Sequence, residues 1–222
     1  MTDLTRNVAR KSSQGTEDTA TYHHGELPAT LMTLALEHIQ AHGTEKLSLR
    51  ALAREAGVSP TAPYRHFPSK QCLLAAIAAQ GFQTLREEHL RTAAKGLAPE
   101  PRLQTMAMSY INFALENPIS YQLMFGAMLA DFSEYEMLQT AATGAYEEVD
   151  RALGELVEAR GLDVEVPDLA GAMWAFLHGL SSLLISQPNL GGGDAKPMQA
   201  LARLRESPER ALNLVFGHLI RP

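Results

Sequence analysis

From Leu27 to His42 the apolar side chains Leu27, Leu31, Leu34, Ala35 and Ile39 recur at three- and four-residue spacing, and Gly43 follows. That period predicts one amphipathic helix closed by a glycine. Ser48 is the kind of residue that caps a helix. After it Leu49, Leu52, Ala53 and Ala56 repeat the pattern over a shorter stretch that Gly57 stops. Ser59-Pro60 then reads as a third helix start, over about Pro60 to His66, with Pro63 distorting its first turn. Pro68 ends that segment, and Ser69 caps a long helix from Lys70 to about Ala94. Five further helices are predicted: Pro101 to about Glu116, Pro118 to near Gly126, Ser133 to Arg160 before Gly161, Pro167 to Ser186, and Glu209 to Ile220 behind Ser207-Pro208. The stretch Gln187 to Lys196 reads as a loop, and no strand-like alternation stands out. The expected fold is all-α with about nine helices.

Three helices of about 16, 9 and 7 residues joined by tight turns over 27–67 are the layout of a helix-turn-helix. A major groove about 12 Å wide admits one helix, which a second must brace at a steep angle. Ala53 and Ala56 are small enough to allow that approach. On the third segment Thr61, Tyr64 and Arg65 share a face. A guanidinium can fork onto guanine, a threonine methyl can meet thymine, and a phenol can reach a phosphate. Ala62 and Phe67 are expected to face inward. Ser48, Arg50, Ser59, His66 and Lys70 complete the candidate DNA-binding set. Lys70 sits in the first turn of its helix, where backbone N–H groups also favour a phosphate.

Charge sharpens this picture. The chain has a net charge of -6, yet residues 1–95 hold 11 Lys+Arg against 9 Asp+Glu, and 96–222 hold 8 against 16. A basic end on an acidic body suits contact with a polyanion at one place only. Hydrophobic residues make up 45% of the chain, enough for a core. The longest apolar stretch, Leu169 to Ile185, is interrupted by His178, Gly179, Ser181 and Ser182, so no membrane partner is expected. One cysteine, Cys72, excludes an intrachain disulfide, and with a polar N-terminus this points to the cytoplasm. Residues 1–21, with Arg6, Arg10 and Lys11, read as a tail, 22–70 as the helix-turn-helix domain and 71–222 as the remaining body.

The run Leu49-Arg50-Ala51-Leu52-Ala53-Arg54-Glu55-Ala56-Gly57-Val58-Ser59-Pro60-Thr61-Ala62-Pro63-Tyr64-Arg65-His66-Phe67-Pro68-Ser69-Lys70 resembles the helix-turn-helix of the TetR family of bacterial repressors. The lead-in Tyr22-His23-His24-Gly25-Glu26-Leu27 is similar to that of a subgroup whose C-terminal domain carries a Trp…His-Gly signature. Trp174-Ala175-Phe176-Leu177-His178-Gly179-Leu180 looks like that signature, while Pro28 departs from the basic residue frequent there. The resemblance implies a homodimer built on the last two helices of each chain, a double-stranded operator, and a small-molecule effector held in the C-terminal body. It also implies repression relieved by that effector.

In the body, Met106, Tyr110, Phe113, Met124, Phe125, Met128, Trp174 and Phe176 could line such a cavity, with His178 bonding a ligand. The same residue types build a plain core. His38 and His42 have helical i, i+4 spacing without a clear third ligand, so no metal is expected. No catalytic constellation and no cofactor motif stand out. The alternative is a helical small-molecule-binding protein or enzyme whose N-terminal module is purely structural.

Overall fold

The structure, a computed structural model, describes residues 26–126, 132–186 and 196–220. Nine α-helices and three short 3₁₀ turns make up the described residues, with no strand among them. The predicted tail, Met128 and most of the Gln187–Lys196 loop lie outside them.

Helix α1 (Leu27–His42) starts with Pro28 in its first turn and buries Leu27, Leu31, Ala35 and Ile39. Gly43 ends it at φ 81°, a left-handed value that glycine adopts freely. Helix α2 (Leu49–Glu55) is capped by Ser48, whose hydroxyl accepts from the Ala51 N–H at 3.2 Å. It buries Leu49, Leu52 and Ala53 against α1. Gly57, at φ 68°, turns the chain so that the Val58 N–H reaches the Ala53 carbonyl at 2.9 Å.

The third segment is not an α-helix. Pro60 and Thr61 form a turn, and only Pro63–Arg65 is helical, as a single 3₁₀ turn. The cause is Pro63, which lacks the N–H that would close a bond to the Ser59 carbonyl. The Ala62 N–H takes that carbonyl instead at 3.0 Å, and His66 bonds back to Pro63 at 3.0 Å, both with the tighter three-residue spacing.

Helix α3 (Lys70–Ala93) is capped by Ser69, which accepts from the Cys72 N–H at 3.1 Å. Its Leu73 to Ala79 stretch is buried on all sides, and Gly81, Phe82, Leu85 and His89 continue the buried face. Around it pack α4 (Pro99–Glu116), α5 (Pro118–Phe125) and α6 (Glu136–Arg160). Small residues let them close in: a Cβ at Gly81 would strike the Met124 sulfur, and one at Gly144 would press on Arg86 at 3.3 Å. Ion pairs tie the bundle together. Arg102 Nη1 donates to Glu155 at 2.6 Å and Arg160 Nη1 to Glu100 at 3.1 Å, both joining α4 to α6. Burial is uneven within them: Arg102 and Glu100 are largely covered and Glu155 is half exposed. Glu148 on α6, 3% exposed, accepts from Arg151 at 2.9 Å and faces Arg86 of α3 at 4.0 Å.

Helix α7 (Val166–Ser186) packs on α4 and α6. At 21 residues and mean hydropathy 1.5 it is long and apolar enough to cross a membrane, contrary to the interrupted reading of its sequence. Its Leu169, Ala170, Met173, Leu177, Leu180 and Leu184 are instead buried against the bundle. Helix α8 (Lys196–Glu206) is additional to the predicted set. It is amphipathic, with Leu201 buried and Ala202 and Leu204 packed partly buried against the core. Helix α9 (Pro208–Ile220) lies on α4 and α8. The helix total thus agrees with expectation, but α8 enters it and the Pro60–His66 segment leaves it.

Because Ser69 satisfies an otherwise orphaned N–H at the start of the central helix, Ser69→Ala should lower stability by about 1 kcal/mol. Urea denaturation is expected to show a lower midpoint at unchanged slope.

Candidate nucleic-acid interface and ligand cavity

The Thr61, Tyr64 and Arg65 side chains all stand in solvent, with Tyr64 43% exposed. Beneath them Pro63 and Phe67 are buried and Ala62 is half-buried against the core of α1, α2 and α3. The 3₁₀ turn therefore hangs on two inward anchors and presents its polar groups outward. Ser48, Arg50, Ser59 and His66 are exposed beside them. The Ser59 and Thr61 hydroxyls lie 3.3 Å apart, which pre-orders that edge. Lys70 is half-buried, and its Nζ donates to the Thr44 carbonyl at 2.8 Å. One of its three donors is thereby used, and the ammonium is held in place.

The arginines differ in their partners, and those without a carboxylate among the described residues include Arg203 and Arg210 of the body as well as three in the helix-turn-helix module. In the body Arg86, Arg91, Arg102, Arg151 and Arg160 each meet a carboxylate. Arg50, Arg54 and Arg65 meet none among the described residues. The nearest carboxylate on α2, Glu55, turns to His38 at 3.8 Å. His38 also bonds the Lys46 carbonyl at 3.2 Å and stacks edge-on against His42.

A second feature lies in the body. Helices α3 to α7 enclose a cavity of about 540 Å³, within the ~300–1,000 Å³ range of small-molecule sites. Of the predicted residues, Met106, Tyr110, Met124, Phe125 and Trp174 line it. Phe113 does not: it is buried core beside Gly81. Phe176 packs edge-on against Phe216 at 5.2 Å, fastening α7 to α9. His178 lies just behind the wall, in a smaller adjoining hollow with Tyr121, Phe125 and Ser182.

There His178 is part of a chain of polar groups. Its Nδ1 is 2.7 Å from the Tyr121 hydroxyl, which is 3.1 Å from that of Tyr110. Its Nε2 lies 3.5 Å from the Ser182 hydroxyl. One proton arrangement satisfies all of them: Tyr110 donates to Tyr121, Tyr121 to Nδ1, and Nε2–H to Ser182. Burial lowers the His178 pKa and raises both tyrosines, so the chain stays neutral. It pins α4, α5 and α7 to one another beside the cavity.

Several lining residues escaped the sequence reading. Phe82, Leu85 and His89 come from α3, and Ala142, Ala145, Tyr146 and Val149 from α6. The α3 stripe has helical spacing, and a histidine on it was a readable signal. Two of the α6 residues are alanines, and small residues leave no mark that separates a cavity from close packing.

Comparison with known proteins finds matches to both parts of the chain. Residues 31–77 match the family model described as bacterial regulatory proteins, tetR family, and 103–206 match the tetracyclin repressor-like C-terminal domain. The chain is 26% identical over 166 residues to the nucleoid occlusion factor SlmA of Enterobacter sp. (strain 638), covering 70% of this chain and 80% of that one. A Rhodococcus sp. RHA1 structure, titled as a protein with unknown function, shares 29% identity at TM-score 0.67 and covers 86% and 98% of the two chains. The TetR family transcriptional regulator PfmR of Thermus thermophilus shares the fold at 20% identity and TM-score 0.57, over 81% and 97%. With the exposed helix-turn-helix face at one end and matches to both domains over more than half its length, the chain belongs to the TetR family and is a DNA-binding transcriptional regulator.

Proposed function

We propose that this regulator is a repressor that binds a roughly palindromic operator as a homodimer and releases it when a small molecule fills the α3–α7 cavity. The observation that carries this reading is the continuity of α3. Its first residue, Lys70, anchors to Thr44 in the helix-turn-helix, and its Phe82, Leu85 and His89 form a cavity wall. Nineteen helical steps lead from Lys70 to His89, about 28 Å at 1.5 Å per residue. A small tilt imposed at the cavity is carried along that rod to the DNA-facing turn. The ligand acts through unequal affinity for two tilts, not by affinity alone. The protein works by binding rather than catalysis, in the cytoplasm, where its DNA is.

Residues 22–70 serve as the DNA-binding unit in this reading and 71–222 as the sensing and dimerising unit. Thr61, Tyr64 and Arg65 meet base edges and phosphates, with Ser48, Arg50, Ser59, His66 and Lys70 on the flanking backbone. Support comes from the exposed cations without carboxylate partners, a surface left open for phosphate. Dimerisation is supported by exposed apolar residues on α7 and α9: Leu183 is 53%, Leu214 73% and Val215 42% exposed. A second copy covers them and sets the two DNA-facing turns about one duplex repeat, ~34 Å, apart. Trp174 and His178, ring centroids 5.7 Å apart on α7, support placement in the Trp…His-Gly subgroup.

Electrophoretic titration against DNA from immediately upstream of the coding sequence tests the reading. Arg65→Ala is expected to weaken specific binding by about 1–3 kcal/mol and relax base preference at one position. Unchanged affinity and preference remove Arg65 from readout. Lys70→Ala is expected to weaken binding to all duplexes and to reduce the slope of log affinity against log salt by about one. Leu214→Glu should convert a species of about twice 24.2 kDa into the monomer in sedimentation equilibrium. A wild-type monomer at micromolar concentration overturns the dimer.

A further inference from the structure

The cavity wall contains a polar group that the fold leaves unused. His89 is 4% exposed, and neither ring nitrogen has a hydrogen-bond partner. A buried polar group left unpaired costs about 1–3 kcal/mol, so such groups are rare unless something else pairs with them. It stands on the α3 stripe below Phe82 and Leu85, and all three line the cavity. Its setting decides its protonation. Desolvation, opposed by nearby Glu88 and aided by Arg102, lowers its pKa to about 4. At neutral pH the ring therefore carries one N–H donor and one bare acceptor nitrogen.

The rest of the wall narrows the chemistry. No Lys, Arg, Asp or Glu lines the cavity among the described residues. Tyr110 spends its hydroxyl on Tyr121, and Tyr146 and Trp174 stand half exposed at the mouth. An anionic or cationic group inside would thus lose its water with no counter-charge on the wall, because Arg102, the cation near His89, is already paired with Glu155.

We propose that the cavity takes an uncharged, largely apolar molecule carrying one hydroxyl-type group, which hydrogen-bonds to His89 at the inner wall. This rests on the reading of the cavity as the effector site. A hydroxyl both donates and accepts, matching either nitrogen of the neutral ring. The apolar remainder lies against Leu103, Met106, Ala145 and Met173. The selectivity is one of exclusion as much as attraction: a ligand without the hydroxyl leaves His89 unpaired, and a charged one is not desolvated.

Trp174, the only tryptophan, lines the cavity and reports occupancy by its fluorescence. The full-length protein would be titrated with 4-octylphenol, 4-octylanisole and 4-octylbenzoate, which differ only in the polar end. The expected order is phenol tighter than anisole by about tenfold, with the benzoate weakest. His89→Leu should abolish the phenol preference without weakening the anisole, and should keep or raise the thermal midpoint, since it removes an unpaired polar group. His89→Gln, which retains a donor and an acceptor, should keep part of the preference. Equal binding of phenol and anisole by the wild type, or benzoate binding tightest, overturns the His89 assignment and leaves the cavity reading standing. No binding of any of the three overturns both.

Discussion

The burial of α3 on every side from Leu73 to Ala79 is the constraint on which the other elements depend. A helix that is apolar all round must be surrounded, and α4, α5 and α6 supply that cover while α1 closes the N-terminal end. Each fully buried leucine contributes roughly 1.5–3 kcal/mol. Alanines at 75, 76, 78 and 79 add little area but let neighbouring backbones come close. The result is one rigid rod belonging to both ends of the molecule. Its first residue is fastened to Thr44 in the helix-turn-helix module and its later turns line the cavity, and no hinge interrupts it within its 24 residues.

The polar groups are distributed to match. Carboxylates in the body clamp α3, α4 and α6 to one another through Arg86, Arg102 and Arg160. The hydroxyl–imidazole chain from Tyr110 to Ser182 does the same for α4, α5 and α7 without formal charge. Arg50, Arg54 and Arg65 have no such duties, and their charge remains for solvent or a polyanion. A net charge of -6 over the whole chain conceals this separation.

Most helices were legible because burial imposes a period. Leu27, Leu31, Ala35 and Ile39 mark α1 unmistakably, and Ser48 and Ser69 cap where their residue type says they should. The polar face at Thr61, Tyr64 and Arg65 was legible too, although the helix assigned to carry it was not formed. Proline at position 63 removes one N–H, and in so short a segment one missing bond changes the helix type. Helix α8 was legible too, since Leu201, Ala202 and Leu204 make an amphipathic stripe, but its nearness to the glycine-rich loop masked it. The cavity was half legible. Aromatic and methionine positions on α4, α5 and α7 stood out, but whether facing helices close over a space or fill it depends on distances that no pattern along one chain encodes. Phe113 and Phe176 show this: both are large and apolar, and both fill rather than line.

The single 3₁₀ turn at Pro63–Arg65 is too short to hold its own shape and takes it from Pro63 and Phe67 pressed into the module's core. Its outward residues carry almost no structural responsibility. Positions 61, 64 and 65 can therefore be exchanged with little penalty to folding, so under the proposed DNA contact a handful of surface replacements would alter the target sequence without altering the fold. The residues that shape the turn and the residues that face outward from it are separate sets.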